Sequence, residues 1–380
     1  PMPALQAFFK KETVFCVSLL LALFSMLLVR PDPTYLSYPD YRTLALLFCL
    51  MLVVAGFQSL GVFARLGRVL LRRARSLRRL SLVFVLLCFF CSMLITNDVT
   101  LLTFVPFTIL VFRMIGQEAA LTRLVVLETI AANLGSMATP IGNPQNLYLY
   151  SAFELDTPSF LWAVLPYAGL SLLGLTLLAV FPQRAAPAVG AIPAAPRPEE
   201  DAKPLFPALV PFLVLLFLCL LVVFRVLPYG PVLVCVAVAV FLVNRKLYRS
   251  VDYFLLLTFL CFFIFIGNLK RIPAVDELLT QLVSGRELWA GILTSQVISN
   301  VPAAILLADF SQNIPALLTG VNLGGLGTLI ASLASLISFQ LFARAFPQKK
   351  GAYFRTFTLY NVGFLVLLAA AAAVLTRFSP

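Results

Sequence analysis

The sequence predicts an all-α protein that crosses a membrane many times. Of its 380 residues, 61% are hydrophobic and only 12% are charged, and the mean hydropathy is +0.99. A soluble domain carries about 25% charged residues. The apolar residues also run continuously, as in residues 15–29, whereas the strands of a membrane β-barrel alternate polar and apolar residues. We therefore expect a bundle of membrane helices.

The net charge of +12 comes mainly from short loops between apolar runs. Such charge indicates membrane topology rather than nucleic-acid binding, because Lys and Arg are enriched in cytoplasmic loops. The seven cysteines all lie in apolar runs, and the chain has no histidine. Cys88 and Cys91 form a C-x-x-C pair, but no histidine is present to join them in a metal site. We expect buried, unreactive thiols.

Apolar runs near the 20 residues that a helix needs to cross a bilayer recur along the chain. A linker rich in Ala and Pro, 183–207, separates a first half, 1–182, from a second half, 208–380. Residues 65–80 contain seven arginines and no acid, which predicts an amphipathic helix at the cytoplasmic surface. Uninterrupted spans are predicted at 13–29, 42–63, 159–181, 208–227, 229–244, 251–268 and 352–376.

Two further apolar regions have polar centres. Residues 81–112 carry Thr-Asn-Asp at 96–98, and residues 286–313 carry Ser-Asn-Val at 299–301. In the first region neither half is long enough to cross alone, and one continuous span would place Asn and Asp in mid-bilayer at high cost. We expect a re-entrant hairpin with a polar tip in each region.

Two predicted spans are interrupted by helix-breaking residues. Residues 121–150 contain Thr-Pro-Ile-Gly-Asn-Pro-Gln-Asn at 139–146, and residues 315–343 contain Asn-Leu-Gly-Gly-Leu-Gly-Thr at 322–328. Proline removes a helix hydrogen bond, and unwound backbone within a membrane persists only where it is buried in protein or lines a water-filled cavity. Each break therefore predicts one wall of a binding site.

These features occur in the same order in both halves. Asp-Tyr pairs at 40–41 and 252–253 each begin an apolar run, a hairpin follows, and Asn-Leu-Gly at 133–135 or 322–324 ends four residues before Thr139 or Thr328. Five predicted spans separate the two Asp-Tyr pairs, and this odd number inverts the second copy. The loop charges predict a cytoplasmic N-terminus and an external C-terminus. Inverted repeats with broken helices are typical of secondary transporters.

The motifs resemble the ion transporter superfamily, which includes divalent-anion/sodium symporters, citrate transporters, arsenite permeases, Na⁺/H⁺ antiporters and P-proteins. The symporters carry Ser-Asn-Thr at both hairpin tips and Thr-Pro-Ile-Gly-x-Pro-x-Asn in the first broken helix, to which 96–98, 299–301 and 139–146 are similar. Residues 320–324 look more like the arsenite-permease branch. The resemblance implies a homodimer, with a scaffold domain and a transport domain that moves as an elevator.

The resemblance also implies the site residues. The candidates for substrate binding are Thr96, Asn97, Asn143, Pro144, Asn146, Ser299, Asn300, Thr328 and Ser332. The candidates for coupling-ion binding are Asn97, Asp98, Gly142, Asn300 and Asn322, with Na⁺ itself expected at Asn97, Gly142, Asn300 and Asn322. No other cofactor is expected.

The tips depart from the symporter pattern at their third position. Asp98 places a carboxylate, and Val301 a methyl group, where the symporters have a hydroxyl. An ionised Asp98 would repel an anion and attract a cation, whereas a protonated one could carry a proton. Arsenite permeases and the antiporter branch have a similar Asn-Asp, so Asp98 weakens the dicarboxylate interpretation.

Glu128 and Gln296 each have two possible roles, and Asp309 has one expected position. Without histidine, proton coupling falls to Asp98 or Glu128, but Glu128 is alternatively an interfacial carboxylate paired with Arg123 or Arg113. Gln296 either lines the site or caps a neighbouring carbonyl group. Asp309 is expected at the outer surface.

The leading hypothesis is a secondary active transporter in the inner (plasma) membrane. It would carry a small anion, a di- or tricarboxylate or an inorganic oxyanion, coupled to Na⁺ or H⁺. The alternative is an arsenite or metalloid efflux permease, or a Na⁺/H⁺ antiporter. An intramembrane enzyme is disfavoured because histidine-dependent chemistry is excluded and only one aspartate is predicted at mid-membrane. A channel is disfavoured because no selectivity-filter repeat is present.

Overall fold

The computed structural model describes residues 12–71, 76–180 and 205–375, and in these ranges the chain forms seventeen α-helices and no β-strand. The helices of the first half are α1 Thr13–Leu28, α2 Tyr41–Ser59, α3 Val62–Leu71, α4 Leu77–Ile95, α5 Asn97–Met114, α6 Leu121–Ser136, α7 Pro144–Ala152 and α8 Thr157–Val180. Those of the second half are α9 Leu205–Val223, α10 Tyr229–Asn244, α11 Tyr253–Lys270, α12 Pro273–Val283, α13 Glu287–Ile298, α14 Asn300–Ala308, α15 Ile314–Gly324, α16 Leu333–Ala345 and α17 Lys350–Leu375.

Eight helices of the described ranges are long and apolar enough to cross a membrane. This confirms the predicted fold class, an all-α polytopic membrane protein. All seven cysteines are free; six are buried, and Cys235 is exposed on α10, contrary to expectation. Most of the predicted linker, residues 183–204, lies outside the described residues, as do Arg72, Arg73 and Arg75 of the arginine-rich segment.

The predicted amphipathic helix at 65–80 is wrong in its limits. Its described first part belongs to α3, Val62–Leu71, and a separate helix, α4, begins at Leu77. Ser76 caps α4, its hydroxyl accepting a hydrogen bond from the Arg79 amide at 3.3 Å. The first hairpin arm therefore has 19 residues, about 28 Å of helix. The expectation that neither arm is long enough to cross a membrane alone is also wrong.

Both hairpins are antiparallel helix pairs. In the first, the ring of Phe84 on α4 lies 5.9 Å from that of Phe107 and 6.1 Å from that of Phe112, both on α5. In the second, the amide of Gln312, beyond α14, donates to Glu287 at the start of α13 at 3.3 Å. The chain therefore turns back at Thr96 and at Ser299.

The two halves repeat one order of elements. Asp40 caps α2 and Asp252 caps α11, each accepting hydrogen bonds from backbone amides of the first turn. A short helix, α3 or α12, follows, and then a hairpin and a broken helix. The sequence interpretation missed α12, because its Asp276 and Glu277 resemble loop residues.

The hairpins pack in a crossed arrangement. The first arm of each hairpin packs on the first segment of the broken helix in its own half, α4 on α6 and α13 on α15. The second arm packs on the second segment of the broken helix in the other half, α5 on α16 and α14 on α7. The two hairpin tips are thereby brought beside the two helix breaks.

Candidate substrate and ion site

The first helix break is a tightly packed turn between α6, which ends at Ser136, and α7. Pro144 opens α7, where its missing N–H costs nothing, and Asn143 caps the helix by accepting a hydrogen bond from the Asn146 amide at 2.9 Å. Gly142 has no room for a side chain, because a Cβ there would overlap the backbone of Ser136. The break is a defined structure rather than a loose loop.

The second break, after α15, is held by Gln296 of the second hairpin. The Gln296 amide nitrogen donates to the carbonyl oxygens of Gly324 at 2.8 Å and Leu326 at 3.0 Å, and its oxygen accepts from the Thr328 amide at 3.0 Å. Gly327 has a φ of +100°, which only glycine adopts readily. Of the two interpretations of Gln296, carbonyl capping describes its contacts.

Both hairpin tips have the same unusual backbone. Thr96 has φ 68° and ψ 156°, and Ser299 has φ 74° and ψ 155°. This region is populated almost exclusively by glycine and costs about 1–3 kcal/mol for other residues. Asn97 and Asn300 then open the second arms, with both side chains buried. The strained tips fix where these two amides point.

Asn133 on α6 joins the first hairpin tip to the second broken helix. Its side-chain oxygen accepts hydrogen bonds from the Asn97 amide nitrogen and the Ser332 hydroxyl, each at 3.0 Å. Its nitrogen donates to the Ser335 hydroxyl at 3.1 Å. Asn133 is itself buried, so all its polar contacts are within the protein.

Asn322 on α15 makes the corresponding contacts to the first broken helix. Its side-chain oxygen accepts from the Asn143 amide nitrogen at 3.1 Å, and its nitrogen donates to the Asn146 oxygen at 2.7 Å. The Asn146 nitrogen in turn donates to the carbonyl oxygen of Thr139 at 3.0 Å. A buried asparagine thus closes each break against the opposite half.

The contacts of Asn133 and Asn322 are reciprocal. Each asparagine bonds the capping residue of the other half's second helix segment, Ser332 or Asn143, and the residue three positions later. A twofold axis between two equivalent segments produces this pattern. We call Asn133, Asn322 and their five hydrogen-bonded side chains the asparagine bridge; these partners are Asn97, Asn143, Asn146, Ser332 and Ser335.

A cavity of about 220 Å³ lies beside the first tip and the first break. Thr96, Asp98 and Asn143 line it on that side, and Ser250 and Asp252, ahead of α11, line it on another. Most other lining residues are apolar, and the described lining contains no Lys or Arg. Among the described residues, the cavity is therefore lined by two carboxyl groups and by no basic side chain.

No group of three or more His, Cys, Asp or Glu side chains that could hold a metal occurs in the described ranges. An ion at the breaks would instead be coordinated by amide, hydroxyl and carbonyl oxygens, which suit hard cations and occur at broken helices of transporters.

The family model described as "Citrate transporter" matches residues 8–317, most of the chain. The chain belongs to the citrate transporter family. It is 35% identical over 346 residues to the inner membrane protein YbiR of Escherichia coli, covering 90% of this chain and 89% of that protein. It is 30% identical over 304 residues to the "Uncharacterized transporter MJ0456" of Methanocaldococcus jannaschii, covering 80% and 81% of the two chains.

A shorter match is to the silicon efflux transporter LSI3 of Oryza sativa, 35% identical over 155 residues, or 40% of this chain and 31% of that protein. Together with the family model, these relatives identify a multi-pass membrane transporter and not an enzyme. Membership of the citrate transporter family also bears out the resemblance to the ion transporter superfamily and suggests a small-molecule substrate.

The structure divides the predicted site residues of this citrate transporter family protein into three groups. Thr96, Asp98, Asn143 and Pro144 line the cavity. Asn97, Asn143, Asn146, Asn322 and Ser332 belong to the asparagine bridge, and Gly142 lies in the turn beside it. The remaining three, Ser299, Asn300 and Thr328, lie at the second tip and second break, where Ser299 donates to the carbonyl oxygen of Ala331 at 3.4 Å.

Glu128 belongs to none of these groups. It is fully buried on α6 and accepts a hydrogen bond from the Thr108 hydroxyl, and its second oxygen has no hydrogen-bond partner among the described residues. The predicted pairing with Arg123 or Arg113 is wrong. Arg113 lies 3.9 Å from Glu118, and Arg123 donates to the Tyr360 hydroxyl at 2.9 Å.

Sequence reasoning missed four residues of this region as site components. Asn133 served only as a marker of the repeat, and Ser335 was matched only to Asn146; both lie in apolar helices, which was the available signal. Asp252 was noted only as the start of an apolar run, and Ser250 was not singled out. Their place in the cavity wall depends on packing between distant segments, which no local pattern reveals.

Proposed function

We propose that the chain is a secondary active transporter of a small anion, with Na⁺ or H⁺ as the coupling ion. The observation that carries this proposal is the asparagine bridge, which joins two helix breaks and a hairpin tip beside one cavity. The helices α7 and α16 begin at these breaks. Helix N-termini attract anions through their free N–H groups and the helix dipole. Broken helices supply sites of this kind in transporters.

The charge of the cavity lining limits which anions it could bind. Asp98 and Asp252 face a space whose described lining has no basic side chain, so a tricarboxylate with three charges would meet repulsion and no salt-bridge partner. A small inorganic oxyanion with one charge fits this environment better. A cation or proton at Asp98 would remove the repulsion, which would couple its binding to that of the anion.

The second candidate function is export of a neutral or weakly acidic oxyacid in exchange for H⁺. The same acidic cavity favours it, because an uncharged oxyacid needs no basic side chain. The partial similarity to a silicon efflux transporter supports this class of cargo. The arsenite or metalloid efflux permease hypothesis belongs here. A Na⁺/H⁺ antiporter is a separate alternative, which the carboxyl group of Asp98 favours.

The proposal includes the arrangement implied by the family resemblance. The protein would act as a homodimer in the plasma membrane, with a cytoplasmic N-terminus and an external C-terminus. The hairpins and broken helices would move together against α2 and α9–α11. Their crossed packing supports movement as one unit, since each hairpin contacts both broken helices.

A thermal-stability panel tests the proposal. The purified chain is heated with sulfate, phosphate, arsenite, silicate or carboxylates, with and without Na⁺ and at several pH values. We expect one small oxyanion to raise the unfolding temperature, and to do so more strongly with Na⁺ or at low pH. Stabilisation by arsenite or silicate alone would favour the second candidate, and no response to any solute would contradict both.

The same panel is repeated with Asn97→Ala and Asn300→Ala, for which we expect loss of ligand stabilisation and of uptake by proteoliposomes. Asn313→Ser is the matched control, because Asn313 is an exposed helix cap outside the tips and serine retains a capping oxygen. Normal uptake by both tip variants would exclude a site at the tips.

A further inference from the structure

A basic groove follows α10 and lies apart from the asparagine bridge. After Asn244 the chain forms a short 3₁₀-helix, Arg245–Ser250. Side chains three residues apart are eclipsed in such a helix, which places Lys246 and Arg249 on the same side. With Arg245 they line a groove of about 710 Å³.

The three basic side chains are exposed and make no ion pair with any described residue. The described lining of the groove contains no Asp or Glu. The nearest acid in sequence, Asp252, lines the other cavity. The positive charge of the groove is therefore uncompensated within the described part of the protein.

An apolar wall forms the other side of the groove. It belongs to α10, where the Phe241 side chain is 58% exposed. The Tyr248 hydroxyl donates to the carbonyl oxygen of Ala237 at 2.6 Å, and its ring lies 6.3 Å from that of Phe241. Tyr248 thus holds the 3₁₀-helix against α10, so that the cations stand at one end of an exposed apolar helix face.

We propose that this groove binds the headgroup of an anionic phospholipid, with an acyl chain along α10. The guanidinium groups of Arg245 and Arg249 suit phosphate oxygens, and Lys246 adds a third positive charge. Basic residues that only set the orientation of the chain in the membrane need to lie in the loop but need not cluster. In this groove they cluster beside an apolar wall. Basic pockets at the ends of membrane helices recognise anionic headgroups in this way.

The proposal is independent of the transported solute. The groove and the transport cavity are nevertheless neighbours in sequence, since Arg249 lines one and Ser250 lines the other. A lipid in the groove would therefore lie close to the Ser250 side of that cavity. The binding test below uses no substrate, so its failure and failure of the proposed transport function are distinguishable.

The test is a lipid titration of the full chain, purified in a neutral detergent. Phosphatidylglycerol, phosphatidylcholine and inorganic phosphate are added separately, and the unfolding temperature is measured. The parent is compared with the triple variant Arg245→Gln, Lys246→Gln, Arg249→Gln. The matched control, Arg344→Gln, Lys350→Gln, Arg355→Gln, removes the same charge from exposed residues elsewhere.

We expect phosphatidylglycerol to stabilise the parent and the control at the same concentration. The groove variant should need on the order of a hundredfold more lipid, and Arg249→Gln alone about fivefold more, if each cation contributes as basic residues near anionic membranes do. Phosphatidylcholine and inorganic phosphate should have little effect. Equal weakening in both triple variants, an equal response to inorganic phosphate, or no response of the parent would overturn the proposal.

Discussion

Asp98 and Glu128 are acidic residues on neighbouring helices with different surroundings. Asp98 follows the first hairpin tip and lines the cavity, where no described residue forms a hydrogen bond or ion pair with its carboxyl group. Glu128 is fully enclosed, with Thr108 as a hydrogen-bond donor. A buried carboxylate without a cation is costly. We therefore expect Asp98, which lines the cavity, to take part in coupling, and Glu128, which is enclosed, to have a structural role.

The two acids are distinguished by neutral, nearly isosteric substitutions. We expect Asp98→Asn to alter the pH or Na⁺ dependence of transport in proteoliposomes, because it removes the only acidic group at the first tip. Glu128→Gln should leave that dependence unchanged and change the free energy of unfolding by less than about 1.5 kcal/mol, because the amide retains an acceptor for Thr108.

The control for this pair is the unfolding temperature of each variant, which separates lost transport from lost folding. An unchanged pH and Na⁺ profile for Asp98→Asn would remove Asp98 from coupling. A changed profile for Glu128→Gln would show that protons or ions reach this enclosed site during the cycle, and would transfer the coupling role to Glu128.

At the scale of elements, both hairpin tips have strained backbone next to the candidate substrate and ion site. Threonine and serine occupy a backbone region that glycine prefers, and both tips do so with nearly equal dihedral angles. Ser299 donates to Ala331, and Thr96 lines the cavity. The side chains therefore contribute contacts that glycine would lack, at the cost of backbone strain.

Glycine substitution at each tip tests this balance. We expect Thr96→Gly and Ser299→Gly to be more stable than Thr96→Ala and Ser299→Ala by about 1–3 kcal/mol, because alanine keeps the strain and glycine relieves it. Thermal unfolding of the four variants gives the comparison. Transport should fall in all four, and equal stability within each Gly and Ala pair would mean that the tips are unstrained.

The sequence was sufficient to predict those helices that are marked by apolar composition and by helix-breaking residues. Apolar length was sufficient to predict a bundle of membrane helices, although it underestimated both arms of the first hairpin. Prolines, glycines and asparagines marked the places where a helix ends within an apolar region. The strained tips could not be predicted, since serine and threonine do not indicate a positive φ. The start of α4 was missed because arginines lie on both sides of the Ser76 cap, so that the two segments resemble one basic helix.

Site contacts were less accessible to sequence reasoning than the elements themselves. The polar residues at 139–146 marked the first break, yet the partners of its asparagines lie in the other half of the chain. Asn322 contacts Asn143 and Asn146 across more than 170 residues of sequence. Such pairing follows from the crossed packing of the hairpins, which is a property of the whole molecule.

At the scale of the whole molecule, the two halves complete each other. Each broken helix is closed by an asparagine from the opposite half, and each hairpin packs on both broken helices. Each half therefore satisfies only part of its own buried polar groups at the break and relies on the other half for the rest. The halves should behave as one cooperative unit, with the asparagine bridge as the shared element.

Matched alanine substitutions test this reciprocity. Asn133→Ala and Asn322→Ala should each lower the free energy of unfolding by a similar amount, about 1–3 kcal/mol, because each leaves buried hydrogen-bonding groups of the other half unpaired. Asn361→Ala is the control: Asn361 is also fully buried, but within the described part of the chain its nitrogen donates only to Phe357 of α17 and its oxygen has no hydrogen-bond partner. Its removal should cost less than about 1 kcal/mol.

Thermal unfolding and uptake are measured together, and we expect both bridge variants to lose transport while the control retains it. Unequal costs for Asn133 and Asn322, or a cost for Asn361 as large as theirs, would mean that the two breaks are not held by equivalent contacts.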